Sequence, residues 1–178
     1  MRIPSLVAFT LLSVAVSIRP AAAQSETRGL TVGVEGGVSA LTSGLDRSGQ
    51  TAGGSLGVTL GYGVSDAVSL FARATTGYEH ALYDVGARVS LGTRASSLRP
   101  YFEGALTHSR STDALIRARG PGLTAAAGVE YFLNPKVSLD AGLAYSTGRL
   151  TRADSMGTGI RGDGFQSARL KIGVRLRP

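Results

Sequence analysis

From residue 30 onward the chain alternates apolar and small polar positions with a period of two. Leu30, Val32, Val34, Val38 and Ala40 share one face, against Thr31, Gly33, Glu35, Gly37 and Ser39 on the other. The pattern returns with Leu56, Val58, Leu60, Tyr62 and Val64, then with Val68, Leu70, Ala72 and Ala74. It continues through Tyr83, Val85, Ala87, Val89 and Leu91, and through Phe102, Gly104 and Leu106. The last three segments carry Leu123, Ala125, Ala127, Val129 and Tyr131; Val137, Leu139, Ala141, Leu143 and Tyr145; and Ala168, Leu170, Ile172, Val174 and Leu176. Successive side chains of a strand point to opposite faces, so this predicts eight β-strands. No stretch carries a helical period.

The connections are rich in Gly, Ser, Asp, Asn and Pro. Residues 42–54, 108–122 and 148–164 read as long loops, 65–67 and 133–135 as tight turns, 77–81 as short and 92–99 as intermediate. Long and short ends in alternation predict an up-and-down antiparallel barrel with both termini at the short-turn end, in the periplasm. The polar face is mostly Gly, Ser, Thr and Ala, which suits the narrow interior of eight strands.

The first residues place the chain in the envelope. Met1-Arg2 is a basic start, residues 3–18 are mainly apolar, and Ala21-Ala22-Ala23 is a small-residue cleavage pattern. This predicts a secretory signal peptide over 1–23, cleaved to leave one barrel domain over 24–178. Arg19-Pro20 ends the apolar run too early for a spanning helix. With no cysteine, disulfides, thiolate metal sites and a lipoprotein anchor are all excluded. The net charge of +7 is spread along the chain without a basic block, which argues against nucleic acid as a partner.

The strand charges sharpen the membrane reading. Glu35, Arg73, Asp84, Arg88, Glu103, Glu130, Asp140, Arg169, Lys171 and Arg175 all fall on the polar face. A mid-membrane Arg or Lys on the lipid face would cost roughly 2–4 kcal/mol. Confined together, these ten are expected to form a network of ion pairs closing the interior. Tyr62, Phe102 and Tyr131 toward the turn end, with Tyr83 and Tyr145 toward the loop end, are expected to form two thin aromatic girdles. A soluble periplasmic barrel binding a small apolar ligand is the alternative, since such barrels also alternate.

The stretch 128–140, GVEYFLNPKVSLD, resembles a strand–turn–strand of the outer-membrane β-barrel family that includes OmpA-like and OmpX-like eight-stranded domains, in the porin-like superfamily. Leu98-Arg99-Pro100-Tyr101-Phe102-Glu103 is similar to the start of that family's fifth strand. The resemblance covers the mature chain and implies a transmembrane barrel inserted by the barrel assembly machinery. One departure is the end, Val174-Arg175-Leu176-Arg177-Pro178, where the family usually carries a terminal aromatic.

Candidate chemistry is sparse, and no cofactor or metal is expected. His80 and His108 are the only histidines, and His108-Ser109-Arg110-Ser111 sets a base beside hydroxyls in a predicted loop, the one hint of a lipid-modifying enzyme. It lacks the deacylase order of His, one residue, then Ser-Asn. Arg161-Gly162-Asp163 falls in the predicted last loop, where it is either an adhesive tripeptide or ordinary turn chemistry. Arg110, Arg117, Arg119, Arg149 and Arg152 are expected to touch lipopolysaccharide phosphates just outside the bilayer. The inward glycines Gly33, Gly57, Gly61, Gly86, Gly128 and Gly142 leave room for water and a narrow solute path as an alternative. The reading that combines these is a monomeric, non-enzymatic barrel with a structural or surface-interaction role.

Overall fold

A computed structural model describes residues 28–43, 51–77, 80–93, 96–111, 118–153 and 160–178. The predicted signal peptide lies outside them. Eight strands form one closed antiparallel barrel in chain order. They are β1 (Gly29–Ser43), β2 (Thr51–Gly63), β3 (Val68–Thr76), β4 (His80–Ser90), β5 (Leu98–Ser111), β6 (Ala118–Asn134), β7 (Val137–Ala153) and β8 (Ile160–Leu176). The seam between first and last strand runs from Val32↔Leu176 to Ser43↔Phe165. Every backbone group of the wall can therefore pair with a neighbouring strand, which a bilayer core demands.

The faces follow the alternation, with the apolar rows outward and exposed. Val85, Leu106, Leu143 and Ile172 are 64–70% exposed. The ten charges named above point inward and are all buried. A soluble barrel packs its apolar face inside, so this inside-out arrangement removes the soluble alternative.

The turns are set locally. Ser65 Oγ accepts from the Val68 amide at 3.0 Å beneath the Val64–Val68 backbone bond. Asn134 Oδ1 accepts from the amides of Lys136 and Val137 at 2.8 and 2.9 Å, an Asx turn next to a register shift after Phe132. Gly92 in the β4–β5 connection has φ +108°, a conformation that favours glycine.

The predicted loop boundaries need correction. The sheet continues to Ser43, Ser111 and Ala153 and resumes at Thr51, Ala118 and Ile160, well inside the segments read as long loops. There the outward positions become Thr42, His108, Arg110, Arg119, Arg149 and Thr151, so apolar alternation fades while strand pairing persists. Such residues suit strand ends that stand clear of hydrocarbon. Arg161-Gly162-Asp163 consequently sits in β8, its backbone paired with Arg152, Thr151 and Leu150, and not in a loop.

Candidate functional site

Among the described residues, the inward side chains of the barrel fall into three layers. At the loop end, Leu82, Ala118, Leu150 and Phe165 are buried together, with Leu41 packed against them. Phe165 lies over the facing pair Gly122↔Gly148, where an added Cβ would meet its ring at 2.9 and 2.5 Å. These side chains share inward parity with the polar row but form an apolar plug. The sequence reading missed it, because residues 148–164 read as loop; the signal was the parity of Leu150 with Ser146.

Below the plug lies a hydroxyl and ion-pair layer. Asp84 accepts from Thr107 Oγ1 at 2.8 Å and from Arg169 Nη2 at 3.2 Å, and Arg73 Nε lies 3.3 Å from it. Thr124 and Ser146 extend this chain of hydroxyls around the wall. The centre is Glu103, which accepts from Arg73 Nη2 at 2.8 Å, Arg88 Nε at 2.8 Å and Lys171 Nζ at 3.1 Å. Glu35 stands 3.6 Å from Arg73 and 3.7 Å from Lys171. Toward the turns, Asp140 lies 2.9 Å from Arg88 and 3.5 Å from Arg175. The structure thus brings all ten sequence-predicted charges into one connected set.

Two aromatic side chains lock that set to the wall. Tyr101 donates its hydroxyl to Asp140 at 3.0 Å, and the Arg88 guanidinium lies 3.6 Å from the ring centroid. The same hydroxyl lies over the facing glycines Gly128 and Gly142, 2.5 Å from the Cβ either would carry. At the turn end, the guanidinium groups of Arg99 and Arg177 both lie over the Phe132 ring, 4.8 and 4.7 Å from its centroid. Arg177 also donates to Glu130 and Ser138, at 2.6 and 3.1 Å. Arg99 and Arg177 were missed in the sequence; both keep the inward parity of Tyr101 and Arg175.

The inward glycines lie close to their neighbours across the wall. Cβ atoms at Gly33, Gly57 and Gly61 would meet Arg175, Glu35 and Thr31, and one at Gly86 would meet Gly104 and Ala105. At Gly33, Gly57 and Gly61 the nearest atoms include neighbouring side chains, whereas at Gly86 they are the Gly104 carbonyl and Ala105.

On the outer surface, Tyr62, Tyr83, Phe102 and Tyr145 are exposed and Tyr131 is half-buried. Tyr83 stands level with His108 and Tyr145 one step below Thr147, while Phe102 sits midway along the outward apolar run of β5 between Leu98 and Leu106. Arg110, Arg119 and Arg149 face outward and are exposed, with Arg110 directly opposite Arg119. Arg117 and the side chain of Arg152 lie outside the described residues. His108 is on β5, opposite Tyr83 and Pro121, and not in a loop. It points outward while Ser109 is 1% exposed in the lumen, so strand alternation separates base from hydroxyl. His80 is buried at the start of β4, opposite Ser111.

By sequence, no curated protein matches the chain. Among solved structures, it is similar to the Neisserial surface protein A, with 23% identity and TM-score 0.65 over 84% of this chain and 97% of that one. It is also similar to OprG of Pseudomonas aeruginosa, at 14% identity and TM-score 0.55 over 88% and 100%. AlkL, solved in lipid bilayers, gives 11% identity and TM-score 0.54 over 89% and 94%. The family model described as the outer membrane protein beta-barrel domain matches residues 8–177, and the chain belongs to that family of outer-membrane barrels.

Proposed function

We propose that this barrel is a closed, non-enzymatic wall element whose work is done at its outer rim, by contact with lipopolysaccharide and other surface partners. One observation carries the reading: every layer of the lumen is occupied, by an apolar plug, an ion-pair network and two arginines over Phe132. An eight-stranded wall has room only for its own side chains, and here those side chains are tied to one another. On this reading the chain is a monomer inserted by the barrel assembly machinery, with its termini in the periplasm.

At the rim, Arg110, Arg119 and Arg149 supply planar donors suited to phosphate. Conductance of the purified barrel in a planar bilayer tests the closed wall: the expected trace is flat. A steady ohmic step would favour the narrow solute pore instead.

A further inference from the structure

The arginine rim stands directly above a hollow in the lipid-facing wall. Arg110 and Arg119 are register partners on β5 and β6, with Thr151 of β7 next in the same row. Partners across an antiparallel pair have Cα atoms roughly 4.5–5.5 Å apart, so these two like charges destabilise each other unless an anion lies between them. Arg149, two residues along β7 from Thr151, is the diagonal neighbour of Arg119 at roughly 7–8 Å. Among the described outward-facing residues of this end there is no carboxylate. A phosphate seated between the arginines would relieve that repulsion.

Moving down the same strands, the next rows are His108 with Pro121, then Leu106 with Leu123, then Gly104 with Ala125. The last two rows bound a hollow of about 530 Å³, walled by Val85, Leu106, Leu123 and Tyr145 over a floor of Gly104 and Ala125. Nothing lies within 4 Å of where a Gly104 side chain would start. An apolar hollow facing a membrane cannot hold stable water and loses contact energy if left empty, so a hydrocarbon chain fills it. Arg110 to Leu106 spans four residues, about 14 Å along the strand. A lipid whose headgroup is held at the arginine row would run its acyl chains down the wall past this hollow.

We infer that β5, β6 and β7 form a single site for one lipopolysaccharide molecule, phosphate on Arg110, Arg119 and Arg149 and one acyl chain in the hollow over Gly104 and Ala125. This rests on the arginine–phosphate reading above and extends it to the acyl chain. The occupant is lipopolysaccharide because the site lies at the long-loop end, which for this architecture faces the outer leaflet.

The test uses the detergent-folded barrel and follows the temperature at which its unboiled gel mobility is lost, with intact or deacylated lipopolysaccharide added. Wild type is expected to shift upward with both, and further with the intact lipid. Filling the hollow with Gly104→Leu and Ala125→Leu is expected to keep the deacylated shift and lose the extra one. Arg110→Gln with Arg119→Gln is expected to lose both. If the filled variant responds as wild type does, the acyl subsite is wrong while the arginine contact survives. If wild type responds to neither lipid, the arginine reading itself fails. An equal shift with phosphatidylglycerol, or a dimer that dissociates only in the filled variant, would assign the hollow to another occupant and overturn the proposal.

Discussion

The Tyr101 hydroxyl donates to Asp140 at 3.0 Å while its ring carries the Arg88 guanidinium 3.6 Å above it. One side chain therefore holds both members of an ion pair that are themselves 2.9 Å apart. Tyr101→Phe keeps the stacking surface and removes the donor to a buried carboxylate. The expected loss is about 1–3 kcal/mol of barrel stability, read from urea unfolding in micelles. No change would mean that Asp140 is satisfied by its cations alone.

Gly142 and Gly104 make a matched pair, one beneath Tyr101 and the other facing lipid. Alanine at Gly142 would place a Cβ 2.5 Å from the Tyr101 hydroxyl and 2.8 Å from the Ala127 carbonyl. An overpacking cost of about 1–3 kcal/mol is expected. Gly104→Ala meets nothing within 4 Å, and removing a glycine from a strand should be neutral or stabilising by up to about 1 kcal/mol. The two melting temperatures should move apart, and a fall of equal size in both would contradict the assignment of faces.

Glu103 is the acceptor for three cations from β3, β4 and β8. Glu103→Ala leaves Arg73, Arg88 and Lys171 without their common partner and should cost about 3–5 kcal/mol. A folded variant of near wild-type stability would show that the remaining acids redistribute to cover the loss.

Asn134 forms the β6–β7 turn through its own side chain. Asn134→Ala removes both bonds and should lower stability by roughly 1 kcal/mol without altering the conductance baseline. Unfolding monitored alongside bilayer recordings checks both halves.

The sequence was most readable where lipid imposes a contrast between faces. Val58 beside Thr59, or Leu170 beside Lys171, declares the facing without any tertiary information. Legibility ended where the outward face turns polar: Arg110 beside Ser109 carries no contrast, so the outer ends of β5 to β8 read as loop. The apolar plug was hidden for the converse reason, since Leu150 and Phe165 have the chemistry of one face and the parity of the other. Pairing within the lumen could not be read at all. Which acid meets which base depends on the stagger of the closed sheet, as when Arg169 on β8 reaches Asp84 on β4, 85 positions away in the chain.

The distribution of charge around the wall also bears on how the ring closes. Among the described residues, the buried acids sit on β1 and on β4 to β7, while Arg169, Lys171 and Arg175 on β8 and Arg177 just beyond it belong to the last strand. Without that strand, the other seven hold five buried acids against the buried arginines Arg73, Arg88 and Arg99. The final strand is then a positively charged edge entering a negatively charged slot, and attraction across the gap favours its register over any shifted one. Closure of this kind should slow as salt rises, because the force that guides the strand home is screened.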